Sequence, residues 1–448
     1  MQATSQMIGS NPPNRGGNDL AAPKVLLLEN SRWSVVALLA VRLAKAGINV
    51  SAVCPAHHPL LKTRAVRKIF PYSALRPLES LRAAVEAVRP DIIIPSDDRA
   101  VGHLHELYDQ ARQMGSSGHA LAALIEKSVG SPDSYPVVSA RYDLLKLARE
   151  EGLRVPNTEE IKSESDLKSW QERQGFPWVL KADGTGNGCG VRIAQSAEQA
   201  GQFLTELTRF YRLGRAIKRM SVNRDPFWLR PWWQGVRPSV IAQSYIDGHP
   251  ANCGVFCWKG KVLAGIGVEV ASETGPMAHA SVTRVVDNAD MMLCAERIAR
   301  RLNLSGFFGL DFMIEKGTGL TYLIEMNPRP TRLSSLRLGK GRDLIGALFA
   351  QLTGQPLCEA PPVTQKDRIA YFPEAWGSEN ELLKSSYHDI PEGEDELMQE
   401  LRQPWPRNTF LWRLADHVER LKHSFRQHFS KRRPTAQASL TLQHHSKP

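Results

Sequence analysis

Cysteine is scarce and scattered in this chain. Six thiols in 448 residues, with no CxxC pair and no Cys/His zinc spacing, exclude a disulfide framework or a structural zinc site as the organising element. The nearest two, Cys253 and Cys257, lie in an apolar segment where a strand buries both as small hydrophobes. Long apolar runs are missing too: no stretch approaches the roughly 20 residues that a helix needs to cross a bilayer. The opening MQATSQMIGSNPPNRGGND has neither a basic start nor an apolar h-region. Residues 1–22 are therefore expected to be a disordered leader, and the protein to be cytoplasmic. No GxGxxG follows the first apolar strand, where ENSRWS stands instead, so a dinucleotide site is not supported. No Ser/His/Asp or Cys/His arrangement points to a covalent enzyme intermediate.

Acidic residues are sparse only at one end. The net charge of +11 suggests a nucleic-acid or membrane partner at first sight. From Arg402 onward, however, ten Lys and Arg face two acids, Asp416 and Glu419, which gives +8 and leaves +3 for everything before. The basic character belongs to a tail, and no nucleic-acid partner is expected for the body. Within that tail Leu411, Leu414, Val418, Leu421 and Phe425 recur at three and four, with Arg413, Arg420, Lys422 and Arg426 on other faces. This spacing predicts a basic amphipathic helix. It packs on its own domain or, through residues 405–433, meets a membrane surface or an acidic partner.

The body reads as two α/β regions. KVLLLE is a short strand, WSVVALLAVRLAKAG has helical spacing up to Gly47, and INVSAVCP is strand again. A second unit follows, with SLRAAVEAVRP as helix, DIIIPSDD as a buried strand and a helix near 100–113. Residues 23–132 thus predict a doubly wound α/β domain. Asp97 and Asp98 sit at a strand's carboxyl end, where such sheets bind ligands and where turns also favour acids. His57 with His58, and His103 with His105, are not spaced as ligands and are expected to be surface or structural. Farther on, a helix over 140–151 and a polar helix precede FPWVLKADGTGNGCGVRIA, a strand, a glycine-rich loop and a second strand. SVIAQSYIDGHPANCGVFCWKGKVLAGIGVEV predicts antiparallel strands with turns at GHP and WKGK, and FGLDFMIE and LTYLIEMN form a pair joined by KGTG.

Two clusters in this second region could carry chemistry. Gly184, Gly186, Gly188 and Gly190 let backbone amides turn toward an anion, and Lys181 at the end of the preceding strand could place a cation on the same phosphates. Across the KGTG turn, Asp311 and Glu325 can point into one space. With the amide oxygen of Asn327 they make a hard oxygen shell suited to magnesium with its waters and phosphates. The alternative is an ion-paired patch in which Arg329 or Arg332 neutralises Asp311.

At these motifs the sequence resembles the ATP-grasp superfamily, which includes biotin carboxylase, carbamoyl-phosphate synthetase and D-alanine:D-alanine ligase. FFGLDFMI with YLIEMNPRPT resembles the paired metal-binding strands, and WVLKADGTGNGCGVRI the lysine strand and phosphate-covering loop. VIAQSYIDG resembles the adenine hinge, and GPMAHASVTRVVD the segment between hinge and metal strands. The likeness spans about Ala140 to Leu338. It implies an N-terminal α/β domain ahead of a two-lobed ATP-grasp fold over 133–357, a C-terminal extension at 358–404 packing on the core, and the basic tail at 405–448. It further implies that Arg141 and Lys181 contact phosphate, and that Gln243, the Ser244 carbonyl and the Ile246 amide read adenine. Asp311 and Glu325 would hold magnesium, or manganese in its place, with Asn327 assisting. Arg329, together with Arg284, would stabilise the reacting acyl-phosphate and its tetrahedral successor. His249 and Pro250 stand where the family often has a ribose-binding glutamate. The activity implied is a carbon–nitrogen ligase using ATP, a small carboxylate and an amine. The alternative is an inactive ATP-binding adaptor acting through its tail.

Overall fold

The computed structural model describes residues 22–185, 188–209, 211–223, 225–273, 280–357, 361–376 and 381–403. The leader, Gly186, the GPMAH part of the 275–287 motif and the tail from 404 lie outside the described residues. The first strands are β1 (Lys24–Leu28), β2 (Asn49–Cys54), β3 (Val66–Pro71) and β4 (Ile92–Pro95). They form a parallel sheet in the order β3-β2-β1-β4. The apolar runs LLL and III are buried on both faces, as a parallel sheet covered by helices requires. The helix Val35–Lys45 is apolar nearly all round and has eight buried residues. A helix of that kind must be covered on more than one side.

The second region contains two sheets. A small antiparallel one holds β5 (Thr158–Glu160), β6 (Trp178–Ala182), β7 (Val191–Ala194) and β8 (Val240–Ser244), in the order β5-β8-β6-β7. The helices Glu164–Arg173 and Ala197–Thr208 bury Trp170, Leu204 and Leu207 against it. The large sheet runs β13-β12-β9-β10-β11-β14-β15. Its members are β9 (Gly248–Trp258), β10 (Lys261–Glu273), β11 (Ala280–Val286), β12 (Gly306–Glu315), β13 (Thr321–Asn327), β14 (Arg368–Tyr371) and β15 (Tyr387–Asp389). One face packs on the helices Arg141–Glu150 and Ala289–Arg301 through Val255, Phe308, Leu310 and Phe312. The opposite face contributes Phe256, Ile266 and Phe307 to a single core that also contains Val25, Leu39, Val50 and Leu348. The helix Val35–Lys45 thus shares one core with the N-terminal sheet and the large sheet.

Two turns can be compared with expectation. Lys259 and Gly260, with φ of 48° and 77°, close the β9–β10 hairpin at WKGK as predicted. GHP does not turn. Gly248, His249 and Pro250 begin β9 and pair with Glu315, Ile314 and Met313 of β12. A Cβ at Gly248 would lie 2.1 Å from the Ile314 carbonyl oxygen, so this glycine permits close approach of two backbones rather than a reversal. Cys253 and Cys257 are buried in β9 as expected. The histidines are structural where buried: His58 Nδ1 accepts from the Leu60 amide, His103 bonds the Tyr72 hydroxyl and His105 stacks on Tyr135. The sequence reading passed over residues 209–238, which form the helices Leu213–Asn223 and Leu229–Trp233.

Gly130 joins the two regions. It bridges to Leu304, two residues before β12, with φ of 94°, and a Cβ there would lie 2.5–2.8 Å from the Asn303, Leu304 and Ser305 backbone. Gly115 also has positive φ, but open space surrounds it. Gly130→Ala should therefore cost about 2 kcal/mol or more, against about 1 kcal/mol for Gly115→Ala. Thermal melting of both variants checks this, and equal losses would refute the steric account.

Candidate active site

The site is assembled by a hairpin, a loop and the first residue of a helix. The KGTG connection sets β12 and β13 in a register where Asp311 stands directly opposite Glu325 and Gly309 opposite Asn327. Phe312 then pairs with Leu323, so Ile324 is an extra, bulged residue. Its carbonyl is turned out of the ladder and lies 3.5 Å from Lys181 Nζ. Lys181 itself is placed by β6 and is buried. Burial pulls its ammonium down to about 8, against the opposing pull of Glu325.

Arg141, the first residue of its helix, binds the parts together. Nη1 donates to the Ala182 carbonyl at 2.8 Å and to Asp183 at 3.1 Å, while Nη2 donates to the Thr185 carbonyl at 3.2 Å and to Glu325 at 2.6 Å. One guanidinium thus ties the glycine loop to β13. Burial works to raise the Glu325 carboxyl, but the Arg141 and Lys181 charges outweigh it and hold the group below its ordinary range. Asp311 has less help: burial first, and then the Glu325 charge, push it up to about 6. Asn327 Nδ2 donates to Asp311 at 3.0 Å, and Asn327 Oδ1 accepts from Arg329 at 3.1 Å. The amide oxygen expected to face the carboxylates thus faces the guanidinium. Arg329 also donates to Asp98 at 3.0 Å and lies 4.4 Å over the Trp33 ring.

The loop glycines serve two needs. Gly184 and Gly188 take φ of 68°, and a Cβ on Gly190 would lie 2.1 Å from Thr185 Oγ1. Gln243 is buried with its amide donating to Thr158 at 3.3 Å, and the Ser244 hydroxyl accepts from the Asn157 amide. Ile246 lies between β8 and β9 in the linking segment.

Arg284 is not part of this constellation. Phe312, Ala251, Glu269 and Arg284 form one row across β12, β9, β10 and β11, one residue off the row that holds Asp311. Alternation therefore puts Arg284 on the opposite face of the large sheet, where it pairs with Glu269 at 2.6 Å. Arg332 does not neutralise Asp311 either, since it pairs with Glu374. The sequence reading missed Asp183 as the partner of Arg141 and Trp33 as the platform of Arg329. For Asp98 both readings of a strand-end acid stood open, and its bond to Arg329 draws it toward the site. Asp97 does cap the helix Asp98–Gln113.

Among the described residues no group of three or more His, Cys, Asp and Glu side chains could hold a metal. The donor set nonetheless fits a magnesium-type ion that brings its own waters and phosphate oxygens. Asp311 and Glu325 stand side by side with Asp311 already raised. Asn252, directly opposite Asp311 on β9, has a buried Oδ1 without a partner.

Comparison with known proteins agrees with this geometry. Residues 138–332 match the family model of the ATP-grasp domain. No curated protein matches the sequence. Among solved structures, the biotin carboxylase domain of Hydrogenobacter thermophilus 2-oxoglutarate carboxylase, bound to MgADP, ADP and bicarbonate, is 15% identical. The match covers 75% of this chain and 71% of that one at a TM-score of 0.51. N5-carboxyaminoimidazole synthase from Aspergillus clavatus, bound to ADP and 5-aminoimidazole ribonucleotide, is 15% identical over 75% and 78% of the two chains, with a TM-score of 0.54. The Staphylococcus aureus N5-carboxyaminoimidazole synthetase gives 13%, 76%, 80% and 0.51. At these identities the likeness is one of fold.

The raised Asp311 carboxyl has a thermodynamic consequence. A carboxyl whose folded value lies above its unfolded one favours the fold while protonated and withdraws that support as pH rises through about 6. Without divalent cation, the wild type should thus lose stability between about pH 4 and 6 in a way that Asp311→Asn does not. At pH 7 the variant should be on the order of 1–3 kcal/mol more stable. Parallel melting curves across that pH window would contradict the strained carboxylate pair.

Proposed function

Because residues 138–332 match the family model of the ATP-grasp domain, we propose that the protein is an ATP-dependent ligase that activates a small carboxylate as its acyl-phosphate and transfers the acyl group to an amine. The observation that carries this reading is the convergence of Lys181, Arg141, Asp311, Glu325, Asn327 and Arg329 around one space between the small and large sheets. Two of the similar structures hold ADP.

In this reading a carboxylate oxygen of the substrate attacks the γ-phosphorus, the bond to the bridging oxygen breaks and ADP leaves. An amine then attacks the acyl carbon, loses a proton, and expels phosphate. Magnesium, or manganese, when bound by Asp311 and Glu325 supplies charge neutralisation on the phosphates. Lys181 and Arg141 hold the polyphosphate, and the backbone of Gly184, Gly186, Gly188 and Gly190 covers it and excludes water. Gln243, Ser244 and Ile246 form the adenine side. Arg329, held by Asp98 and stacked on Trp33, faces the acyl-phosphate and stabilises the oxyanion. Asn327 orients Arg329 and Asp311 in one network. Residues 23–132 build the acceptor side, and residues 405–433 meet an acidic partner or membrane surface. No observation favours the inactive adaptor.

Hydroxylamine in place of the amine should capture the activated acid as a hydroxamate with release of ADP. Glu325→Gln should lower that release about a hundredfold or more with the fold retained. Lys181→Ala should weaken ATP binding about tenfold to a hundredfold, the worth of one charge-assisted contact. Deleting residues 405–448 should leave ADP release unchanged. Wild-type rates in both point variants would remove the ligase reading.

A further inference from the structure

The segment 209–238 is unlike the rest of the chain. Between Arg209 and Arg237 it holds eight Lys and Arg against one acid, Asp225, and six aromatic residues. Its inward contacts use only part of that inventory. Asp225 accepts both nitrogens of Arg99 at 3.0 and 2.8 Å and also pairs with Arg219 at 3.4 Å. Phe227 lies under Arg99 and Trp228 under Arg219. Tyr211 stacks edgewise on Trp228, and its hydroxyl donates to the Gly184 carbonyl at 3.2 Å. The segment is thus fastened to the N-terminal domain on one side and to the glycine loop on the other.

Other side chains of the segment face outward. Leu213, Ile217 and Met220 recur at four and three along the helix Leu213–Asn223, which makes one continuous stripe. These three are 42–46% exposed, Val236 is 45% exposed, and Trp233 on the next helix is 82% exposed. Exposed basic residues Arg212, Lys218, Arg230 and Arg237 flank them. Aliphatic stripe, tryptophan and cations together match the acyl boundary, interface and headgroups of a bilayer. A nucleic-acid groove would use the aromatic faces and the cations but has no use for the aliphatic stripe.

We propose that the helical segment 209–238 is a docking surface for an anionic lipid bilayer, with Leu213, Ile217, Met220 and Trp233 entering the interface and Arg212, Arg230 and Arg237 contacting lipid phosphates. This segment is distinct in sequence from the tail, and the proposal is independent of the ligase reading. Each cation near an anionic leaflet multiplies binding about fivefold, so three of them contribute about a hundredfold.

The test is co-sedimentation of the full chain with vesicles of phosphatidylcholine and phosphatidylglycerol, against phosphatidylcholine alone. The wild type should pellet only with the anionic vesicles. Ile217→Glu with Trp233→Ser should weaken binding about tenfold or more. Arg230→Gln with Arg237→Gln should weaken it by a similar factor, and the melting profiles of both variants should be unchanged. Undiminished binding by both variants would assign the adhesion to residues 405–433 and overturn the proposal. So would binding that depends on the arginines but not on Ile217 and Trp233 and is abolished by single-stranded RNA, which would mark a polyanion site.

Discussion

Asp311 and Glu325 are like charges fixed side by side on paired strands, and much of the molecule is arranged around relieving that conflict. Lys181 reaches them from the small sheet, Arg141 from a helix terminus, and Arg329 by way of Asn327. Within the hairpin the Asn327 amide donates to Asp311 and the backbone sets the register; the charges that compensate the pair come from outside it. The relief is unequal: Glu325 takes the direct contacts, and Asp311 keeps an amide donor and a raised carboxyl. A site left incompletely neutralised in this way favours the arrival of a cation. The like-charge pair thus costs stability in order to serve function.

The same arginine that relieves Glu325 also holds the glycine loop through three oxygens. A ligand that claims Glu325 loosens the grip of Arg141, and an anion that claims Arg141 releases both the loop and the carboxylate. Loop position and site occupancy are therefore coupled through this side chain, while Tyr211 holds the same loop at the Gly184 carbonyl. Arg329 plays the corresponding part on the other side, where Asp98 and Trp33 bring the N-terminal domain to within a hydrogen bond of the chemistry.

How much of this was readable from the residues follows from the range of the interactions. The Asp311–Glu325 pairing was legible because a four-residue turn fixes the register of adjacent strands. Lys181 was legible because the glycine loop marks where β6 ends. The bulge at Ile324 was not, since it leaves no mark in composition. Arg284 was misplaced because its face depends on register carried through three further strand pairings. The 231-residue separation of Asp98 and Arg329 has no local signature. The GHP tripeptide carries the residues of a turn, and only the approach of β12 shows that its glycine serves spacing. The stripe Leu213, Ile217 and Met220 has a helical periodicity that is legible in the sequence, in a segment the sequence reading passed over.

The helix Val35–Lys45 has a consequence for how such a chain can change over time. Val36, Leu39 and Leu43 belong to the same core as Phe256, Ile266 and Leu348, so the unit that would choose an acceptor and the unit that would bind nucleotide share buried apolar side chains. Recombination that exchanged the N-terminal unit for another would have to match the side chains it contributes to that core. Replacing side chains at the strand ends, one at a time, asks no such match of the core and so is the readier route to a new specificity.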